Sequence, residues 1–585
     1  MKIIIQNPCM ALLDIEQKYL KSLELSLGFP IPEVSELHSY TTGYTLQDGH
    51  ISGLGLFSSD LKFLPEKINV LSHLKQLLLR GNRLKAIPEE ISFILSLKSL
   101  DLSENNLIKL PKAIFSLSSL TELSLESNKL TFIPDTIRSL DSLEVLDLSG
   151  NMITSVPESL CTLSKLKILD LSRNMLHELP ITIGNLESLE ILYLGHNNLI
   201  KLPESIGFLK SLKRLNIRNN KLENLPNSIG DLSSLKSLFL KGNNLINIPD
   251  SIDKLCNLKY LGLSNNNLIN LPKTIGLLTS LESLSLASNY LTIIPKSIGS
   301  LKSLLKLELS NNKLASLPDL NNLSSLKILN LERNNLKVIP DSIGNLTTLE
   351  VLKLDRNELE SLPSSIKSLI SLKELDLFDN KLENLPEVIG DIKTLEILDL
   401  SKNLLETIPE SLGSLSSLTE LDLSNNRLEF LPDSIGSLSL LKNLIIGFNR
   451  LKSIPESFGL LKNLDTLDLG KNHLKTVPDT IGSLKALKRL YLYYNEINSI
   501  PESIGELESL KYLYLGNNKL SKLPNSIGKL KSLKYLFLRA NNLTELPRTI
   551  EALTSLRYLN IEKNTITKFP YILDRLEDQH VKIIK

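Results

Sequence analysis

Residues 418–440 read LTELDLSNNRLEFLPDSIGSLSL, the frame LxxLxLxxNxL followed by xxLPxxIGxLxx. The same 23 positions return along almost the whole chain. The Asn of the frame falls every 23 residues from Asn82 to Asn312 and again from Asn334 to Asn564, 22 positions with one slip of a single residue. Ser59, 23 residues before Asn82, marks a degenerate first unit, which makes 23 units. Proline keeps the same register: of 26 prolines, 23 lie six residues after the Asn position, from Pro65 to Pro570. A fixed period of this length marks a stack of supersecondary units, and it overrides the three or four globular domains that 585 residues would otherwise suggest.

Each part of the frame has a physical reading. In LxL the leucines alternate with polar residues, the period of a short half-buried strand, and neighbouring units can stack such strands into a parallel sheet. The Asn side chain offers an amide donor and a carbonyl acceptor to the backbone where the chain bends away from the sheet. An apolar replacement would strand buried backbone groups at a cost of about 1–3 kcal/mol. Leu-Pro favours an extended, polyproline-like step, and xxIGxLxxL then makes a short helical or 3₁₀ turn on the far side. No unit can bury its own leucines, so stability is expected from nearest-neighbour stacking. The text resembles the leucine-rich repeat family over about residues 51–570. That resemblance implies an α/β solenoid, or horseshoe, of about 23 repeats, with a concave parallel sheet and convex polyproline, 3₁₀ or short helical segments.

The ends of such a stack need covers. Residues 10–27, MALLDIEQKYLKSLELSL, place Leu12, Ile15, Tyr19, Leu20 and Leu23 at helical spacing before Gly28 stops the run. Asp48-Gly49 is a hairpin-turn signal, and the second strand of that hairpin is expected to become the first repeat strand at Leu54–Leu56. YILDRLEDQHVKIIK, 571–585, reads as a short amphipathic helix and a final strand. The expected organisation is a cap over 1–50, a solenoid over 51–570 and a cap over 571–585. The slip lies in LPDLNNLSSL, one residue shorter than LPDSIGNLTTL. It reads either as a hinge or as a neutral shortening of the convex segment.

Composition narrows the function. With 66 Lys+Arg against 65 Asp+Glu, a net charge of +1 leaves no basic footprint for nucleic acid. Aromatics are 5% and Trp is absent, so the core is expected to be aliphatic. Cys9, Cys161 and Cys256 are too few and too far apart for a disulfide framework or a zinc motif, and Cys161 and Cys256 read as packing thiols. No apolar run reaches the roughly 18 residues of a membrane span or forms a secretory segment, so a soluble cytoplasmic protein is expected. The cysteine-rich flanks usual in extracellular members of the resembled family are missing too. Phosphate-loop, GxGxxG, GxSxG and HExxH motifs are absent, and His38, His50, His73, His177, His196, His473 and His580 lack metal-like spacing. No enzyme, cofactor or metal is expected. A row of strand carboxylates, Asp101, Asp147, Asp170, Asp376, Asp399, Asp422 and Asp468, could raise one another's pKa as an acid–base pair does; the plainer reading is ordinary strand text.

Function is then expected on the strand positions six, four and two residues before each Asn, which face the concavity. In the last four units these hold Arg489, Tyr491, Tyr493, Tyr512, Tyr514, Tyr535, Phe537, Arg539 and Tyr558, with Tyr494 one step along. Solvent-facing aromatics with interleaved Arg have the composition of interaction hot spots; the alternative is that the rings cover one another across strands. A second group is Tyr193, Arg214, Arg218, Phe239, Lys241 and Tyr260, and an acidic strip, Asp355, Glu374, Asp376, Asp379, Asp399, Glu420 and Asp422, lies between. The repeat text is similar to the Ras-group repeats of Sur-8-like, plant Ras-group-related and Scribble-type proteins. This implies a non-enzymatic intracellular scaffold whose protein partner is a Ras-like small GTPase or a phosphatase; a monomer is expected. The alternative is an extracellular receptor or host-directed effector using the same face.

Overall fold

The computed structural model describes residues 13–567 and 570–585, which form two compact units dividing at Asn289/Tyr290. Cys9 and Leu12 lie outside the described residues. The first unit opens with α1, Asp14–Leu27, closed by Gly28 in the left-handed conformation, and a hairpin of β1, Thr42–Gln47, and β2, His50–Leu56. Asp48 and Gly49 both have positive φ, the conformation a two-residue hairpin turn requires. β2 then pairs in parallel with Gln76–Leu78, Leu54 beside Leu77.

From there each unit repeats one design. Three-residue strands pair in parallel with their central leucines in register, as Leu398, Leu421 and Leu444 are in the second unit. Those leucines are buried and the residues either side of them face solvent. After each turn, proline enters a 3₁₀ helix: Pro432 (φ −70°, ψ 151°) precedes Asp433–Ser437, and its carbonyl accepts the Ile435 N–H at 3.2 Å. The buried apolar set is almost wholly leucine and isoleucine, with Tyr19, Phe115 and Phe458 its only aromatics among the described residues. The second unit ends in α2, Pro570–Asp578, and a strand, Lys582–Ile584, parallel to Tyr558–Asn560.

The Asn ladder ties each unit together. Asn426 Nδ2 donates to the carbonyls of Leu400 (2.9 Å), Leu423 (3.0 Å) and Ser424 (3.3 Å), while its Oδ1 accepts the Leu405 N–H at 3.0 Å. One buried amide thus satisfies backbone groups in two successive repeats. The residue before it, Asn425, has φ +55°, and the left-handed turn recurs at the same place in nearly every repeat, on side chains as large as Phe448 and Tyr494.

At the short repeat the ladder still closes: Asn334 bonds to the Leu309 carbonyl and to the Leu314 N–H, each at 3.0 Å. The missing residue is taken up by the segment around Leu320 and Leu323, which stay buried but form no 3₁₀ helix. The core contacts are those of a shortening on the far side.

Two expectations need correction. Ile15 is not on the buried face of α1: it is 56% exposed, and Glu16 takes its place in the stripe with Tyr19, Leu20 and Leu23. One residue rotates about 100° around a helix, and the buried carboxylate is held by the Ile51 N–H at 2.9 Å. Cys256 is exposed rather than packed, because it falls in the turn after Leu255; Cys161 is buried, and burial pushes its thiol up to about 11.

Candidate functional site

The aromatic group of the second unit stands on the sheet face opposite the leucine core. Leu490, Leu513, Leu536 and Leu559 point inward and are fully buried, so their strand neighbours must point out. Strand register brings the rings into two columns. In one, Tyr491 stacks on Tyr514 at 4.7 Å and Tyr514 on Phe537 at 4.3 Å. In the other, Tyr512 stacks on Tyr535 at 4.9 Å. Tyr558 tilts to meet both, 5.1 Å from Phe537 and 6.3 Å from Tyr535. Parallel strands are spaced about 4.8 Å, which is why in-register aromatics stack.

The rings therefore cover one another and still leave a surface. All are half-buried save Tyr494, which is 53% exposed. Burial raises the phenol pKa of Tyr491, Tyr493 and Tyr514, so the hydroxyls remain neutral donors at physiological pH. The arginines are anchored: Arg489 pairs with Asp465 at 3.0 Å and lies 5.8 Å from the Tyr512 ring, and Arg539 pairs with Glu562 at 3.2 Å. They frame the aromatic surface without presenting free charge.

Two contributors were not visible in the strand columns. Lys471 sits between rings on the rim, its Nζ 4.1 Å from the Phe448 centroid and 5.5 Å from that of Tyr494. Gly470 lets Tyr493 lie flat, since a Cβ there would be 2.4 Å from Tyr493 Cε1. The only sequence signal was that Phe448, Lys471 and Tyr494 occupy one position of three successive repeats.

The second group, in the first unit, is not assembled in the same way. Arg214 reaches the Tyr193 hydroxyl at 3.4 Å and Tyr260 donates to Glu282 at 3.2 Å, but Tyr193, Phe239 and Tyr260 make no ring stack with one another. Gly262 stands in register beside Phe239, leaving its ring without a cross-strand aromatic.

In the acidic strip, Asp376, Asp399 and Asp422 are in register on adjacent strands. Each carboxylate accepts the N–H two residues on: Phe378 (3.0 Å), Ser401 (2.8 Å) and Ser424 (2.8 Å). Asp101, Asp147, Asp170 and Asp468 do the same, as does Asn330. The acid closes the backbone turn at the strand end, a role an amide fills equally, and this accounts for the row without acid–base chemistry. Burial raises the pKa of Asp376, Asp422 and Asp468. Asp355 rises to about 7, through burial first and then the Asp376 and Glu332 carboxylates.

The leucine rich repeat profile matches nine stretches of the sequence and the leucine-rich repeat region profile two, 154–246 and 498–578, together covering 72–246, 256–314 and 324–578. The chain belongs to the leucine-rich repeat family. Among solved structures, this leucine-rich repeat chain is similar to the plant peptide hormone receptor RGFR1 in complex with RGF2, with 32% identity, 91% of this chain and 89% of that one covered, and a TM-score of 0.72. A leucine-rich repeat protein of Leptospira interrogans is 35% identical over 72% of this chain and 96% of its own, with a TM-score of 0.56. YopM from Yersinia enterocolitica is 27% identical over 81% of this chain and 91% of its own, with a TM-score of 0.53. No curated protein matches. Neither matching profile describes a catalytic family, and no helix among the described residues is long and apolar enough to cross a membrane.

Proposed function

We propose that this protein is a non-enzymatic scaffold and that the open sheet face of its second unit docks a protein partner through the aromatic columns at Tyr491, Tyr514 and Phe537 and at Tyr512, Tyr535 and Tyr558. The observation behind this is the ring ladder itself: five stacked, half-buried aromatics and the tilted Tyr558, framed by anchored arginines. Such rings offer large rigid area and hydrogen-bonding tips, and ordering them further costs little entropy because the stack already holds them. The carboxylates of 355–422 precede them on the same unit, so the fitting partner has an apolar or aromatic segment beside a basic one. Following the similarity to Ras-group repeats, the partner is a Ras-like small GTPase or a phosphatase and the compartment is the cytoplasm.

A second reading is favoured by RGFR1, a plant peptide hormone receptor solved in complex with RGF2: a receptor or effector outside the producing cell, with a peptide on the same face. Cell fractionation separates the two, since an extracellular pool supports the second. The site itself is tested by changing Tyr491, Tyr514 and Phe537 together to Ala and comparing capture from native lysate by mass spectrometry. We expect the triple variant to keep its circular dichroism and melting temperature and to lose the partner, by at least tenfold in recovered intensity. Undiminished capture by a folded variant would place the docking site elsewhere.

A further inference from the structure

Where α1, the hairpin and the first repeat come together, Glu16, His50 and His73 gather three groups able to ligate a metal, with their ligand atoms all within 4.8 Å of one another. The sequence hides this cluster, because 34 residues separate Glu16 from His50 and the spacing matches no motif. Glu16 is 1% exposed on a helix that otherwise buries Tyr19, Leu20 and Leu23. A buried carboxylate is costly unless its charge is matched, and the groups the structure sets against it are one backbone N–H and one imidazole. Oε2 accepts the Ile51 N–H at 2.9 Å, and Oε1 lies 3.1 Å from His50 Nδ1. The His73 ring stacks on that of His50 at 3.8 Å between centroids, with Nδ1 3.2 Å from Ser72 Oγ.

We propose that Glu16 Oε1, His50 Nδ1 and one imidazole nitrogen of His73 form a binding site for a zinc-like divalent transition-metal ion. Two ligands of a tetrahedral zinc, with bonds of about 2.0–2.1 Å, stand about 3.3 Å apart, and the Glu16–His50 pair is already at that separation. The metal replaces the proton between these two atoms: a neutral His50 keeps it by shifting to the Nε2–H tautomer, and an imidazolium releases one proton to solvent. His73 is exposed, so rotation of its side chain brings a ring nitrogen into line. The Ile51 N–H on the other oxygen orients the carboxylate as an outer-shell partner does. Water fills the fourth position. Two imidazoles and one carboxylate favour zinc over magnesium, which prefers all-oxygen sites. The ion would clip the helix and hairpin to the first repeat, the place where a stack of repeats most needs a cover.

The test uses the full chain stripped with EDTA and then titrated with zinc chloride against a chromophoric chelator. Wild type is expected to take up one zinc per chain and to melt several degrees higher, with cobalt(II) giving the visible absorption of a tetrahedral site. His73→Ala, outside the core, is expected to melt like metal-free wild type, to bind at least tenfold more weakly, and to lose the zinc-dependent rise. Glu16→Gln, which keeps an acceptor for Ile51, provides a second variant should one fold poorly. Failure of wild type to compete for zinc, equal binding by His73→Ala, or an equal melting shift with magnesium would each overturn the site.

Discussion

At the scale of single residues, Asp355 is an acid that burial and like charge hold well above its ordinary pKa. It is 7% exposed, and Asp376 and Glu332 face it with charge of the same sign. Its folded pKa of about 7 lies above the 3.8 of a free carboxyl. Between those values the folded state holds the proton more tightly than the unfolded chain does, so folding stability falls as pH rises from about 4 to 7 and then levels off. Asp355→Asn removes the charge and keeps the shape. It should stabilise the protein at pH 8 and make little difference at pH 4, measured as the shift in denaturant midpoint between variant and wild type at each pH. An equal shift at both pH values would assign the effect to packing.

At the scale of the element, the glycine of the IG step is read from the sequence as a turn residue, and its structural reason is close approach between repeats. A Cβ on Gly390 would lie 2.1 Å from the Ser411 carbonyl oxygen, and one on Gly413 the same distance from that of Ser434. At the short repeat the approach eases to a tight contact: a Cβ on Gly299 meets only the Asp319 oxygen, at 3.2 Å. Gly390→Ala should therefore cost on the order of 1–3 kcal/mol by forcing two 3₁₀ segments apart, and Gly299→Ala clearly less, read as denaturant midpoints under identical conditions. Equal costs would mean that the backbone freedom of glycine, and not the neighbouring carbonyl, is what matters. The same distinction limits what a sequence shows of elements. The strands, the proline-led 3₁₀ turns and the Asp48-Gly49 hairpin follow from local pattern. The burial of Glu16 instead of Ile15 does not, because it depends on the Ile51 N–H, contributed by a strand 35 residues away.

At the scale of the whole molecule, the period fixes the register of every repeat, and the tyrosine zoning was legible because the outward strand positions can be counted from each Asn. The stacking of those rings, the left-handed turn under Tyr494, the rim lysine and the division at Asn289/Tyr290 are set by neighbours in space, and no single repeat records them. Nearest-neighbour construction also determines how damage spreads. Asn426→Ala would leave the Leu405 N–H and the carbonyls of Leu400 and Leu423 without their amide, each loss costing about 1–3 kcal/mol. In a single cooperative globule that cost would lower protection everywhere alike. In a repeat array it should fall on the repeats that share the amide. Hydrogen exchange is therefore expected to quicken by at least tenfold for amides between residues 400 and 428, to be less affected one repeat further on, and to be unchanged at Leu559, six strands away in the same unit. A uniform acceleration through Leu559 would mean that the second unit unfolds as one body, and that its stability cannot be divided repeat by repeat.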